Sequence, residues 1–270
     1  MMRRRAALAL PALLLARPAG AVALPTSGLT QGGFVTGRVA PGTKLALDGR
    51  ALRIGPGGEY AFGFGRDHGP EAVLSVTPPG GHPAAQRLAI TKRRWNIQRL
   101  EGLPGAMVTP PPEIMARITR EREQLAALRR QDTAETFFAA GLIWPAHGRI
   151  SGVYGSQRIL NGEPRAPHLG LDVAVPVGTP LRAAAAGHVV LAEELYFTGD
   201  TIILDHGHGV QTLYAHMSRL DVAPGQRIAA GAHLGASGAT GRVTGPHLHF
   251  GLTWFATRLD PQPVLPAVQG

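Results

Sequence analysis

Apolar and polar residues alternate with a period of two, the mark of half-buried strands, in several short runs of the first hundred residues. Lys44-Leu45-Ala46-Leu47 alternates, Asp48-Gly49 is a tight-turn pair, and Leu52-Arg53-Ile54 alternates again. Gly57-Gly58 turns into Glu59-Tyr60-Ala61-Phe62. Ala72 to Thr77 and Arg87 to Thr91 are further runs, set apart by Pro78 to Gly81. Strands this short and this closely spaced predict a small β-sandwich-like module over residues 24–102.

The pattern then changes. Leu103 to Pro112 is rich in proline and predicts a stiff, extended linker. Glu113 to Arg130, dominated by Arg, Glu, Gln, Ala and Leu, is the one good helix of the chain. Its stripe of Ile114, Ile118, Leu125 and Leu128 is thin. That stripe predicts packing against a neighbouring domain or a bridge between two, the alternative being a helix that binds a partner. After a linker region spanning 103–140, the period of two returns. Val173-Ala174-Val175, His188 to Leu191, Thr201 to Leu204, Val210 to Tyr214 and His247 to Trp254 are strand candidates among many glycines. They predict an antiparallel two-layer β domain over residues 141–270, so the chain as a whole is mainly β.

Composition sharpens the compartment. Met1-Met2-Arg3-Arg4-Arg5, the apolar run Ala6 to Ala16 and the small-x-small triplet Ala21-Val22-Ala23 predict a cleaved secretory signal over residues 1–23. The apolar run falls well short of the ~20 residues that a membrane span needs. No later segment could span either, so no stable membrane anchor is expected after cleavage. The chain has no cysteine, which excludes disulfides, thiol catalysis and thiolate metal sites. A periplasmic or secreted protein that relies on its core is the expectation. The formal charge of +9 falls to +5 without the signal, with 23 basic against 18 acidic residues once Arg3, Arg4, Arg5 and Arg17 are removed. That balance suits an anionic polymer such as cell wall. Nucleic acid is not expected, because no basic helix or aromatic–basic interleaving appears.

The candidate chemistry sits in the C-terminal part. In Gly245-Pro246-His247-Leu248-His249-Phe250 a strand would point His247 and His249 to one face and Leu248 and Phe250 to the other. In Pro167-His168-Leu169-Gly170-Leu171-Asp172 the two polar side chains would lie roughly 13 Å apart along a flat strand. A bend at Pro167 or Gly170 could bring them onto one metal. Imidazole nitrogen and carboxylate oxygen suit zinc. His206-Gly207-His208-Gly209 offers a second H-x-H, but between glycines it reads as a hairpin turn, a poor place for a preorganised site. His216, in Tyr214-Ala215-His216, is either a core histidine or a member of the site.

These pieces occur in a specific order. His168-x-x-x-Asp172, Tyr214-x-His216 and Gly245 to Phe250, with framework stretches such as Gly178-Thr179-Pro180 and Gly238 to Gly241 between them, resemble the lysostaphin-type M23 family of zinc endopeptidases over roughly residues 145–262. Each motif alone is weak; the ordered set is strong, and none of its positions is substituted. The resemblance implies zinc held by His168, Asp172 and His249, with His216 and His247 as an unliganded catalytic pair. It implies hydrolysis of the peptide cross-links of peptidoglycan, and leaves open which bond is cut and which of the two histidines is the base. The rival expectation is a non-catalytic wall-binding regulator of another hydrolase. A biotinyl- or lipoyl-type carrier is excluded, since no lysine follows residue 145.

Overall fold

The computed structural model describes residues 25–101 and 111–267. The expected signal, residues 1–23, lies outside them. Seven strands precede the helix: β1 (Phe34–Arg38), β2 (Lys44–Leu47), β3 (Arg50–Leu52), β4 (Glu59–Gly63), β5 (Glu71–Thr77), β6 (Ala84–Ala89) and β7 (Ile97–Leu100). Asp48 and Gly49 take φ of +47° and +82°, the pair of positive values that a two-residue hairpin turn requires, and so join β2 to β3. The antiparallel pair β1–β4 and the sheet β3-β2-β5-β6 contribute Val35, Phe62, Leu45, Leu74 and Leu88 to a common core. The alternation of β5 is the expected one: Ala72, Leu74 and Val76 are buried and Glu71 and Val73 are exposed.

The helix α1 spans Pro112–Leu128, with proline in its first turn where a missing N–H costs nothing. It settles the two expectations raised by its thin stripe. Leu125 and Leu128 pack on Leu191, Leu195, Ile203, Leu213 and Ala215 of the C-terminal sheet, and Ile118 is 1% exposed. The Glu121 carboxylate accepts the Tyr196 backbone N–H at 2.9 Å, and the Gln211 amide donates to the Leu128 carbonyl at 2.8 Å.

The C-terminal strands are β8 (Arg149–Gly152), β9 (Gln157–Leu160), β10 (Glu163–Pro164), β11 (Leu171–Ala174), β12 (Pro180–Arg182), β13 (Gly187–Leu195), β14 (Gly199–Asp205), β15 (Val210–Leu220), β16 (Arg227–Ile228), β17 (His233–Ser237), β18 (Leu248–Trp254) and β19 (Thr257–Leu259). The main sheet runs β16-β13-β14-β15-β18-β11-β8, every pair antiparallel, while β17 links β12 to β15 and β19 flanks β18. Tyr214, Phe250, Leu248, Ile202 and Leu204 are fully buried within it.

The N-terminal strands are built into this domain rather than strung beside it. Strand β7 pairs in parallel with β9, adding a third strand to the β9–β10 hairpin. Arg93 bonds the buried Asp260 carboxylate at 2.7 Å, and the Asp260 N–H reaches the Gly32 carbonyl at 2.8 Å. Among the described residues no helix is long and apolar enough to cross a membrane.

Candidate metal centre

Asp172 and His249 stand directly opposite each other on the antiparallel pair β11–β18, so their side chains leave the sheet on one face. The alternation of β18 does what the sequence implied: Leu248 and Phe250 are completely buried on the other side. Gly152 on β8 faces Asp172 from the far flank, and a Cβ there would sit 2.3 Å from Asp172 Oδ2. The absence of a side chain at Gly152 therefore makes room for the carboxylate.

His168 arrives by the anticipated bend. It precedes β11 in a loop fastened to the turn at Val153–Ser156: its N–H donates to the Ser156 carbonyl at 2.9 Å, and its own carbonyl accepts the Gly155 N–H at 2.7 Å. Its Nδ1 lies 3.1 Å from the Val153 carbonyl. A carbonyl can only accept, so Nδ1 carries the proton and Nε2 presents a lone pair inward. His168 Nε2 is 2.9 Å from Asp172 Oδ1 and 3.0 Å from His249 Nδ1, and His249 Nδ1 is 2.8 Å from Asp172 Oδ1. Three donor atoms from three segments thus meet at one point. These spacings are a few tenths of an ångström tighter than the edge of a tetrahedron whose arms are about 2.0–2.2 Å. The set fits a tetrahedral metal after a small outward relaxation, with a fourth position left for a non-protein ligand. The orienting bond to Val153 is the outer support that metal-binding imidazoles usually have.

His216 and His247 flank this point, their ring centroids 4.8 Å apart, and the His216 ring lies 6.0 Å from that of His249. Each hands Nδ1 to a backbone carbonyl at 2.8 Å, His216 to Thr240 and His247 to Gly245, which leaves both Nε2 atoms free to face the site. His216 takes φ +62°, rare for a residue with a Cβ, where the β14–β15 register shifts between Asp200 and Ile202. The bulge re-aims a side chain that would otherwise continue the β15 alternation.

Burial sets the charge states. Desolvation, reinforced by His249, pushes the His216 imidazole down to about 3, so it is neutral near pH 7. Burial also lowers His249, against the pull of Asp172. For Asp172 burial acts upward, but the close His168 and His249 imidazoles outweigh it and hold the carboxyl well below the usual range.

His206 and His208 lie in the turn between β14 and β15. Both are buried, at 0% and 2%. His206 is spent between the Ala186 carbonyl at 2.6 Å and Thr212 Oγ1 at 2.7 Å, and burial drives it down to about 4. It pins a hairpin and lies apart from the three converging donors.

The donors sit in the wall of an open cleft of about 610 Å³. Its lining includes Met115, Ile118 and Arg122 from α1, Arg158 and Leu160 from β9, and Arg242 to Thr244 from the glycine-rich loop. Sequence reasoning missed α1 as a wall and missed Arg158, whose Nη2 lies 3.6 Å from Asp172 Oδ2. It missed Gly152, Val153 and Thr240 as supports as well, because those roles depend on strands and turns brought together only by the fold.

Fold and site together define a β-sheet domain with a His/Asp/His group that could hold a metal ion. Residues 166–261 match the family model of peptidase family M23. It is 33% identical over 169 residues to the peptidoglycan DD-endopeptidase ShyA of Vibrio cholerae, which covers 59% of this chain and 39% of the relative. It is 41% identical over 99 residues to the DD-carboxypeptidase/endopeptidase Mpg of Neisseria meningitidis, covering 37% of this chain and 22% of that one. The chain therefore spans well under half the length of these curated relatives. A crystal structure of an M23 peptidase from Pseudomonas aeruginosa superposes with a TM-score of 0.66 at 28% identity, over 89% of this chain and 96% of that one.

Proposed function

We propose that the protein is a periplasmic or secreted zinc-dependent endopeptidase that hydrolyses the peptide cross-links of bacterial peptidoglycan. The observation that carries this reading is the meeting of His168 Nε2, Asp172 Oδ1 and His249 Nδ1 at the head of a cleft, with two more imidazoles beside them. Two nitrogens and one carboxylate oxygen form a donor set of the catalytic zinc type. When bound, zinc lowers the pKa of a water towards neutrality and polarises a carbonyl. The chain's own groups do the rest. His216, kept neutral by burial, offers its Nε2 lone pair to the attacking water and orients it. His247, with 16% of its side chain exposed beside the cleft, takes the proton and returns it to the leaving amine. The relatives ShyA and Mpg, both acting on D,D-bonds by their names, support the choice of substrate.

The test is to incubate residues 24–270 with isolated cross-linked muropeptides and follow the products by mass. Cleavage of dimers that stops on chelation, returns with zinc and is lost in His249→Ala is the expected result. Zinc bound stoichiometrically with no cleavage of any muropeptide would turn the reading towards a wall-binding regulator.

A further inference from the structure

The three residues that join β13 to β14 each bond to a different part of the molecule. The Tyr196 N–H donates to the Glu121 carboxylate of α1, 2.9 Å from Oε2 and 3.1 Å from Oε1. The Phe197 carbonyl accepts the Arg242 N–H of the glycine-rich loop at 3.0 Å, and the Thr198 carbonyl accepts the His216 N–H at 2.8 Å. Turn and loop also interlock. The Thr240 hydroxyl accepts the Asp200 N–H at 2.9 Å and donates to the Met217 carbonyl at 2.7 Å. A Cβ at Gly199 would sit 2.2 Å from Thr240 Oγ1, and one at Gly241 would sit 2.4 Å from the Gly199 nitrogen. Segments packed this closely move together. The Thr240 carbonyl then takes His216 Nδ1. Both bonds that hold His216 at φ +62° and aim its Nε2 therefore come from this interlocked pair.

Glu121 is where that pair meets the upstream chain. Its side chain is only 14% exposed, and the Arg117 guanidinium at 2.6 Å fixes its orientation. The neighbouring ties of α1 end elsewhere: Arg117 and Gln124 reach Glu194 and Glu193 on β13, and Gln211 reaches back to Leu128. A carboxylate bonded to a backbone N–H is among the stronger hydrogen bonds, and it fixes main chain rather than a rotamer. We propose that Glu121 is a positioning residue for hydrolysis, setting the 196–198 turn and, through Thr198 and Thr240, the imidazole of His216. This inference rests on the peptidase reading above. It makes the chemistry depend on a helix that precedes residues 166–261. The metal donors lie off this path, held by the β11–β18 pair and the Val153–Ser156 turn, so they should not feel the loss of Glu121.

The test compares variants of residues 24–270 on cross-linked muropeptides. In Glu121→Ala, kcat should fall roughly 10- to 100-fold, the cost of moving a catalytic group by about an ångström, while KM and the zinc Kd stay within about twofold. Glu121→Gln keeps a carbonyl acceptor without the ion pair to Arg117, and should recover kcat to within about threefold of wild type. Thr240→Val should lose a similar factor to Glu121→Ala. The double variant should lose no more than about twice the larger single loss, because both act through one turn. Wild-type kcat in Glu121→Ala overturns the proposal. So does a joint fall in kcat and zinc affinity, the mark of general loosening, and so do losses that multiply in the double variant. If the wild type cuts no muropeptide, the peptidase reading fails, and the positioning is decided without turnover. Proton–nitrogen NMR then follows the His216 Nδ1–H, identified by its absence in His216→Asn. Loss of that signal in Glu121→Ala, with the His168 Nδ1–H retained, upholds the proposal. An unchanged His216 signal, or loss of both, overturns it.

Discussion

His216 is held at φ +62°, a conformation that costs a β-carbon residue of order 1–3 kcal/mol and persists only when its surroundings insist on it. Here they do: its N–H is bonded to the Thr198 carbonyl and its Nδ1 to Thr240. Strain of this kind in a buried imidazole beside three metal donors marks a residue kept for its position rather than for stability. His216→Asn tests this, because asparagine adopts the left-handed region more readily. The metal-free variant should unfold within about 1 kcal/mol of wild type while cross-link cleavage falls at least a hundredfold, the scale of a lost acid–base or orienting group. A loss of several kcal/mol by thermal unfolding, with proportionate activity, would instead make His216 a structural residue.

At the scale of elements, the strands were the most legible part of the chain. The alternation in β5 and β18 and the Asp48-Gly49 turn each determine a local geometry from a few adjacent residues, and the structure follows them. The order of His168, Asp172, His216, His247 and His249 foretold the grouping of those side chains. What could not be read was contributed from a distance. The space for Asp172 depends on Gly152 one strand away, and nothing around Gly152 in the sequence signals that β8 will lie there. The buried state of His206 depends likewise on Ala186, twenty residues earlier. Gly152→Ala is the sharpest probe of this layer. A methyl 2.3 Å from Asp172 Oδ2 must displace the carboxylate, since the contact is with a short, three-times-engaged side chain. Zinc affinity should fall roughly 10- to 100-fold, as for other disturbed metal supports, with far-ultraviolet circular dichroism unchanged. Unaltered affinity in a competition titration would show that the carboxylate has room to spare.

At the scale of the molecule, Trp95 is one of the ties between the N-terminal part and the turn beside the metal donors. Trp95 lies edge-on to Tyr154 at 5.7 Å, between the guanidiniums of Arg66 and Arg93, and occupies the space above Gly155. Arg66 also donates to the Gly155 carbonyl at 2.7 Å. This is the turn that fixes His168 through Val153 and Ser156. Trp95→Ala, more than 70 residues before the first donor, should therefore weaken zinc binding about tenfold, and Trp95→Phe should restore most of it. Equal zinc affinity in wild type and Trp95→Ala would show that the turn holds its shape unaided.

The cleft has two walls of different origin. The donors and the loop carrying Arg242 fall within residues 166–261, whereas β7, α1, Arg158 and Arg165 precede them. The donors thus lie on one stretch of the chain, while much of what shapes and lines the cleft lies on the stretch before it. A recombination junction near residue 165 would part the donors from Gly152, Val153 and Ser156, which make room for Asp172 and aim His168, so the two stretches have to be inherited together.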